Sequence, residues 1–376
     1  MIIKLMKTIK IEILRMAVLL ICISASVYTS AQMVTIGGLD YKLFPETHEA
    51  ILANGNNWVG ELVIPAQVSY EGQDYVVKSI YIRAFYNCKQ LTKVTIPSTT
   101  DSIHHSTLKE GALGQISDSY MTPLIRCTAL ESIEVDENNP SMSSIGGVLF
   151  NKDGTRLYCY PAGMKADKYV VPEGVTWIGG NAFGYNENIV SIELPETVEK
   201  IYGGAFWGCK KLEEVNLPGK LTYIEAFMFR DCACLKSIEI PSGVWGLGEQ
   251  AFLGCTSLKV IDLPKSVNYI SNYAFSGCSL DVLVIRGQLG KEYMYDILLT
   301  ALKASGTLYV PDSEIEFFKS RFTGTILPVE QYRTADIGKA PSSKVISHPL
   351  FDLGGRRLET SPKKGLFIYN GQKFVR

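Results

Sequence analysis

Cysteine is the residue type with the most chemical potential in this chain, and six of its nine cysteines occupy one repeated position. They are Cys88, Cys127, Cys209, Cys232, Cys255 and Cys278, and Asn186 takes the same place in another copy of the repeat. Neighbouring copies lie about 4.8 Å apart if their strands pair, so distance alone leaves disulfides open. Parallel side-chain directions and the presence of Asn186 favour a structural ladder of buried thiols that donate weakly to backbone carbonyls.

Two further groupings contain residue types that bind metals. The segment Cys232-Ala233-Cys234 resembles half of a zinc site, but the sequence offers no second pair or nearby histidine to complete it. His104 and His105 are adjacent, and a polar surface in an insertion is the favoured interpretation over a metal site. The sequence shows no recognisable nucleophile–base motif and no phosphate-binding glycine loop. It therefore predicts a protein that is not an enzyme, with no catalytic residue, metal or cofactor.

Acidic residues recur at one outward position of the predicted strands. The candidate ligand face at this position consists of Glu134, Glu193, Asn216, Glu239 and Asp262, and Thr95 takes the same place in the earliest copy. Like charges on neighbouring strands repel, and lysines one step away, such as Lys236 and Lys259, are expected to offset this. The stripe is either an ordinary solvated face or a surface that binds a cation or a basic partner.

A second candidate binding group is aromatic. It consists of residues in a predicted inserted hairpin and at variable repeat positions, namely Phe150, Tyr158, Tyr160, Trp207, Tyr223 and Trp245. Clustered exposed aromatic side chains bind sugars or proteins, whereas aromatic side chains at the base of an insertion pack it onto the stack. The sequence leaves both interpretations open.

A repeat with a constant step along the chain must position all of these side chains. Two columns keep this step, the phenylalanines Phe183, Phe206, Phe229, Phe252 and Phe275 and the prolines Pro172, Pro195, Pro218, Pro241 and Pro264. Each copy has a short strand of alternating apolar residues, which ends at the proline because proline cannot donate to a ladder. One copy cannot bury its own apolar face, so the copies must stack into a solenoid with a continuous core.

The repeat A-F-x-x-C-x-x-L-x-x-I-x-I-P resembles the BspA-type leucine-rich repeat of bacterial surface proteins, over roughly residues 61–285. This resemblance implies a right-handed leucine-rich repeat solenoid, with one short parallel strand per coil of about 23 residues and short helical or 3-10 turns opposite. It also implies an adhesin-like interaction protein on the surface of a Bacteroidetes bacterium. Insertions interrupt the repeat at about 104–121 and 138–168, and the second is predicted to be a hairpin that projects from the stack.

The two ends have separate predictions. Residues 1–31 are typical of a signal peptide, because basic residues precede a short apolar run that ends in small residues. A β cap is expected at 32–60 and a second cap at 286–337, where Ser313 and Glu316 predict a capping box that opens a helix. After a linker, the tail within 338–376 resembles type IX sorting modules, and its Asn370-Gly371 pair predicts a hairpin.

Composition limits the remaining function classes. The net charge of -1 offers no bulk attraction for nucleic acid, and no later apolar run is long enough to cross a bilayer. We therefore expect an exported monomer, located outside the cell or on the outer-membrane surface, that presents an extended face to host or neighbouring-cell proteins. The alternative is a glycan-binding accessory protein of the cell envelope.

Overall fold

The computed structural model describes residues 31–104, 122–289 and 292–332, together with four short strands between 350 and 375. It opens with a sheet of strands β1 (Gln32–Ile36), β2 (Leu39–Phe44), β3 (Glu49–Asn54), β5 (Gln67–Tyr70), β6 (Gln73–Tyr81) and β8 (Ser102–His104). Their order is β1-β2-β3-β6-β5, and β8 also pairs with β6. β3 and β6 pair in parallel, so this antiparallel opening is joined directly to the stack. The predicted insertion at 104–121 lies almost entirely outside the described residues.

The strands at the repeat position that usually precedes a proline form a main ladder of three parallel sheets. They are β4 (Val59–Val63), β7 (Gln90–Ile96), β9 (Ser132–Val135), β13 (Lys168–Val170), β15 (Ser191–Glu193), β17 (Glu214–Val215), β20 (Val260–Leu263), β22 (Leu280–Ile285), β23 (Leu302–Val310) and β24 (Thr325–Pro328). Ile192 lies opposite Val215, its counterpart in the following coil. The many short parallel strands are those of a leucine-rich repeat fold.

A second ladder of parallel strands follows the prolines. It contains β12 (Arg156–Cys159), β14 (Trp177–Ile178), β16 (Lys200–Ile201), β18 (Tyr223–Ile224), β19 (Gly246–Leu247) and β21 (Tyr269–Ile270). Its pairs also keep the offset of one repeat, as in Tyr223, Gly246 and Tyr269. Each coil therefore has two outward surfaces, one on each ladder.

The predicted projecting hairpin is wrong in one respect, because its strands belong to the stack. β10 (Met142–Ile145) and β11 (Val148–Asn151) pair antiparallel, β11 pairs with β12, and β12 continues in parallel to β14. Val148, Leu149 and Phe150 are all fully buried. A strand buried on both faces packs into the core instead of leaving it.

The turn that joins the second ladder to the next main strand carries the phenylalanine column. The rings of Phe206, Phe229 and Phe252 are fully buried and stack at centroid distances of 5.1 and 5.3 Å. Ala205 beside Phe206 is also fully buried, and its small side chain lets the turn approach its neighbour. Backbone hydrogen bonds such as Phe206 N–H to Met228 C=O connect each turn to the next.

The C-terminal end differs from the expectation in its helices. Helix α1 (Glu292–Ala301), which the sequence reading missed, joins β22 to β23, and helix α2 (Ile315–Lys319) joins β23 to β24. The predicted capping box is wrong, because Ser313 lies inside a 3-10 turn, Asp312–Glu314, and no side chain caps α2. Glu316 instead pairs with Lys319, one turn along the helix.

The tail contains four strands, β25 (Leu350–Asp352), β26 (Arg357–Leu358), β27 (Leu366–Tyr369) and β28 (Gln372–Val375). β27 and β28 pair antiparallel with Tyr369 opposite Gln372, on either side of the predicted Asn370-Gly371 turn. The predicted signal peptide lies outside the described residues. Within the described residues, no helix has the length and apolarity needed to cross a membrane.

Candidate functional site

The thiols of the cysteine column lie inside the turns and donate to the backbone. Cys209, Cys232 and Cys255 each point their Sγ to the carbonyl oxygen of the phenylalanine in the preceding coil, at 3.1 Å. Cys127 and Cys278 do the same at 3.0 and 3.2 Å. All eight cysteines of the described residues are free thiols.

Burial determines the chemistry of this column. It raises the pKa of Cys209 to about 12 and the pKa of Cys232 well above its ordinary value of 9.0. A buried thiol with a raised pKa stays protonated and is a poor nucleophile or metal ligand. The column therefore stabilises the stack and offers no catalytic group.

Asn186 replaces a thiol by an amide that makes more bonds. Its Nδ2 donates to the Pro161 carbonyl at 3.1 Å, and its Oδ1 accepts from the backbone N–H groups of Asn188 and Ile189. The side chain is fully buried. Asparagine fits here because every polar atom inside the turn finds a partner.

The acidic stripe of the main ladder is largely neutralised. Glu134 pairs with Lys93 at 2.7 Å, and Glu193 pairs with Lys168 at 2.5 Å. The Lys93 pKa is raised, chiefly by its hydrogen bond with Glu134. These partners lie in the preceding coil, so basic side chains from a neighbouring strand offset the acids instead of the lysines that the sequence reading named.

The other stripe members have different surroundings. Asp262 accepts two hydrogen bonds of 2.7 Å from Arg286, which is a fork of the kind that fixes both side chains. Asn216 uses both ends of its amide on the backbone of Leu194, at 2.7 Å each. Glu239 is exposed. Glu134, Glu193 and Asp262 lie on strands of the main ladder and are paired with basic side chains, whereas Asn216 directly follows its strand and Glu239 lies in a coil without an assigned strand.

The structure divides the aromatic candidates into three groups. Phe150 and Tyr160 are buried core residues, and Tyr160 stacks on Phe183 at 5.2 Å, so neither can bind a ligand from solution. Trp207 lies on the outer side of a turn, next to Tyr185 at 5.6 Å. Tyr158, Tyr223 and Trp245 lie on the outer face of the second ladder.

These last three side chains belong to a longer aromatic row. The row consists of two triplets of contacting rings in edge-to-face or tilted arrangements, Tyr158 with Trp177 and Tyr202, and Tyr223 with Trp245 and Tyr269. Ring centroids within the triplets are 4.7 to 6.2 Å apart, and Trp245 is 48% exposed. Sequence reading missed Trp177, Tyr202 and Tyr269, although Trp177 and Tyr269 occupy the same repeat position as Tyr223 and were detectable from it.

Concave space is limited on this surface. A groove of about 400 Å³ lies beside the first strands of the main ladder, and its lining includes Val63, Pro97 and Glu134. Among the residues that the structure describes, no cluster of three or more His, Cys, Asp or Glu side chains could hold a metal. The arrangement offers long outward rows for contact with large partners.

Comparisons with known proteins found several similar solved structures. Solved structures that resemble the chain include a leucine-rich cell surface protein from Faecalibacterium prausnitzii, with 21% identity, 71% of this chain and 97% of that chain covered, and a TM-score of 0.43. Another is the pneumococcal vaccine antigen PcpA, with 19% identity, 79% and 98% coverage, and a TM-score of 0.47. A third is a leucine-rich repeat protein from Bacteroides ovatus, with 24% identity, 78% and 76% coverage, and a TM-score of 0.45.

No curated protein matches the chain. The model of the BspA-type leucine-rich repeat region matches residues 73–157 and 155–281 in six copies, which together span more than half of the chain. The second match covers the uninterrupted coils, and the first includes both antiparallel strands β10 and β11. The chain therefore belongs to the BspA-type leucine-rich repeat family.

Proposed function

We propose that this chain is a non-catalytic, adhesin-like protein of the cell surface that contacts proteins of a host or of neighbouring cells. The observation that carries the proposal is the arrangement of outward side chains in rows that cross several consecutive coils. Such rows suit an extended partner better than a small substrate, because a repeat stack exposes long surfaces. Family membership supports a surface location.

The domain boundaries belong to the same proposal. A signal peptide at 1–31, caps at 32–60 and 286–337, repeats at 61–285 and a sorting tail at 338–376 make up an exported monomer. The coils wind to the right. The tail delivers the protein to the surface or attaches it there.

Within this proposal, the stripe of Glu134, Glu193, Asn216, Glu239 and Asp262 contributes one contact face. Its ion pairs make it a surface of alternating charge, which contributes more to specificity than to affinity. The test is capture of purified matrix proteins by residues 32–376. Reversing the charge of Glu193, Glu239 and Asp262 together should reduce capture at low salt. Unchanged capture by the triple variant would exclude this face, and capture of no protein by the parent chain would contradict the function.

Glycan binding is the second candidate function, and the aromatic row favours it. Sugars stack on aromatic rings through their apolar faces, and the exposed Trp245 offers such a ring. A glycan array with the parent chain and a Trp245→Ala variant separates the two candidates. Sugar-specific, salt-insensitive binding that the variant loses supports this role. Salt-sensitive capture of protein supports adhesion.

A further inference from the structure

The outer side of the turns carries a second row of side chains, in which two arginines lie against four aromatic groups. We call it the arginine–aromatic ridge, and it consists of Tyr86, Arg126, Tyr185, Trp207, Phe227 and Arg230. These residues come from five coils, and none of them belongs to the acidic stripe or to the aromatic row. Only Trp207 was a candidate on the sequence.

The ridge is continuous because each member contacts the next. The Arg126 guanidinium lies 4.5 Å from the Tyr185 ring centroid and donates to the Tyr185 hydroxyl at 3.0 Å. Tyr185 lies 5.6 Å from Trp207, and Trp207 stacks on Phe227 at 5.6 Å. The Arg230 guanidinium lies 4.8 Å from the Trp207 ring. The arginines are thus held flat against rings, with little freedom left to lose on binding.

Backbone conformation shows that these side chains are kept at a cost. Arg126 and Tyr185 have φ values of 62° and 63°, the left-handed region that favours glycine. The same place in the turn is glycine in other coils, at Gly208, Gly254 and Gly277. Glycine would thus satisfy the fold at these positions, so a requirement of the turn does not explain Arg126 or Tyr185. We therefore attribute the presence of Arg126 and Tyr185 to the contacts that their side chains make.

Neighbouring glycines make room for the ridge. A Cβ at Gly208 would lie 2.9 Å from Cδ1 of Tyr185, so a larger residue there would displace that ring. In the same way, a Cβ at Gly254 would lie 2.8 Å from Oδ1 of Asp231. A large side chain in one coil is therefore seated over a glycine in the following coil.

The ridge has a positive end. Asp231 lies 3.5 Å from Arg230 and accepts from the Trp207 indole at 3.3 Å, so it offsets one arginine. Within the described residues no carboxylate pairs with Arg126, and Tyr86 beside it is 45% exposed. The complementary partner is acidic at this end and apolar toward Trp207.

We propose that the arginine–aromatic ridge is a docking surface for an acidic polypeptide segment of a partner protein. A polypeptide is favoured over a glycan because guanidinium groups already cover the Tyr185 and Trp207 ring faces that a sugar would use. Arginine, tyrosine and tryptophan are also the residues that dominate the energetics of protein–protein contacts. The stacked guanidinium groups then present their donor edges to carboxylates. This inference deepens the proposed interaction function and rests on it.

The decisive variant is Arg126→Gly, because glycine suits the φ of this position. It removes the guanidinium and should shift the melting temperature by less than about 4 °C, which separates binding from stability. Tyr273→Gly is the backbone control, since Tyr273 has a φ of 59°, is 61% exposed and lies two coils beyond the ridge member Phe227. Arg321→Gln is the charge control, since its guanidinium lies 3.8 Å from the Phe317 ring centroid at the C-terminal end of the stack.

The binding assay titrates the chain of residues 32–376 into labelled peptides that alternate glutamate with threonine, or glutamine with threonine, and measures fluorescence anisotropy. The parent chain should prefer the glutamate peptide, and Arg126→Gly should weaken its binding about fivefold or more, as loss of one charge-assisted contact implies. Both control variants should bind like the parent chain. Equal binding of the two peptides would overturn the proposal, as would unchanged binding by Arg126→Gly. Tighter binding of an oligogalacturonate than of the glutamate peptide would also overturn it, in favour of an acidic glycan.

The same assays separate this inference from the proposed function. If the parent chain captures matrix proteins but binds the glutamate and glutamine peptides equally, the ridge is wrong and the interaction function stands. If the parent chain captures no protein yet prefers the glutamate peptide, the ridge stands and the adhesin-like function is wrong.

Discussion

The inner and outer sides of each turn differ in how strictly their residues repeat. On the inner side, Phe206 and Cys209 recur with little change in neighbouring coils, and their side chains are fully buried. On the outer side, Trp207 is followed one coil later by Arg230 and then by Leu253. The comparison shows that packing against the next coil determines the inner residue, whereas the backbone tolerates many outer residues. The inner residues thus set the stability of the turn, and the proposed recognition belongs to the outer residues.

The largest effect that we expect from the inner side is a loss of folding stability at alkaline pH, caused by the buried thiols. Burial raises the pKa of Cys278 to about 12 and that of Cys209 to about 12, above the ordinary 9.0. The folded state therefore keeps protons that the unfolded state releases above pH 9, and the stability present below that pH is lost as pH rises toward 12. Urea denaturation between pH 8 and 11 should show a progressively lower free energy of unfolding.

The control for this pH series is Cys234→Ala, which removes a half-buried thiol outside the column. It should follow the same pH dependence as the parent chain. A free energy of unfolding that is constant from pH 8 to pH 11 would contradict the assignment of buried, protonated thiols.

The next effect compares two phenylalanines of one turn, Phe227 and Phe229. Phe229 is inside, stacked at 5.1 Å on Phe206, whereas Phe227 is outside on the ridge with a φ of 61°. Phe229→Ala should cost about 3–5 kcal/mol because it leaves a cavity in the core. Phe227→Gly should cost no more than about 1 kcal/mol, because glycine relieves the left-handed backbone. If urea denaturation gave equal losses of unfolding free energy for the two variants, the two sides of the turn would not differ as described.

The smallest effect compares two cysteines in the same coil. Cys232→Ala should cost about 1 kcal/mol, because the Phe206 carbonyl inside the turn loses one of its two donors and keeps only the Cys209 N–H. Cys234→Ala should change the free energy of unfolding by less than about 0.5 kcal/mol, as expected for a position outside the column. Matching denaturation midpoints for the two variants would show that the thiol bond contributes nothing.

Regular spacing explains which features the sequence could predict. The phenylalanine column and the strand before each proline follow from the stacking of identical coils, so each appears as a fixed step in the sequence. Cys209 was predictable as a donor to a backbone carbonyl for the same reason. Contacts that depend on the particular side chains of two neighbouring coils do not recur at a fixed interval in the sequence.

Most of the features that the sequence did not predict are contacts between particular side chains of two neighbouring coils. The ion pairs between Lys168 and Glu193 and between Asp262 and Arg286 do not share one sequence separation, because long side chains can reach a partner from several positions in the adjacent coil. The aromatic row is only partly irregular, because Trp177 and Tyr269 share the repeat position of Tyr223, whereas Tyr202 lies two residues past that position. The placement of β11 had a usable signal, since three consecutive buried apolar residues are typical of a strand covered on both faces.

The hydrogen bonds from the cysteine column to the phenylalanine carbonyls have a consequence for folding and ageing. Because each thiol is used with its proton in place, the stack needs no oxidant to form and reaches the same fold in reducing or oxidising surroundings. Oxidation to a sulfenic acid would add an oxygen atom where Cys232 approaches the Phe206 oxygen to 3.1 Å. A coil that opened long enough to be oxidised could not close again in the same way. The rate at which the thiols of the column oxidise in air would therefore report how often individual coils separate.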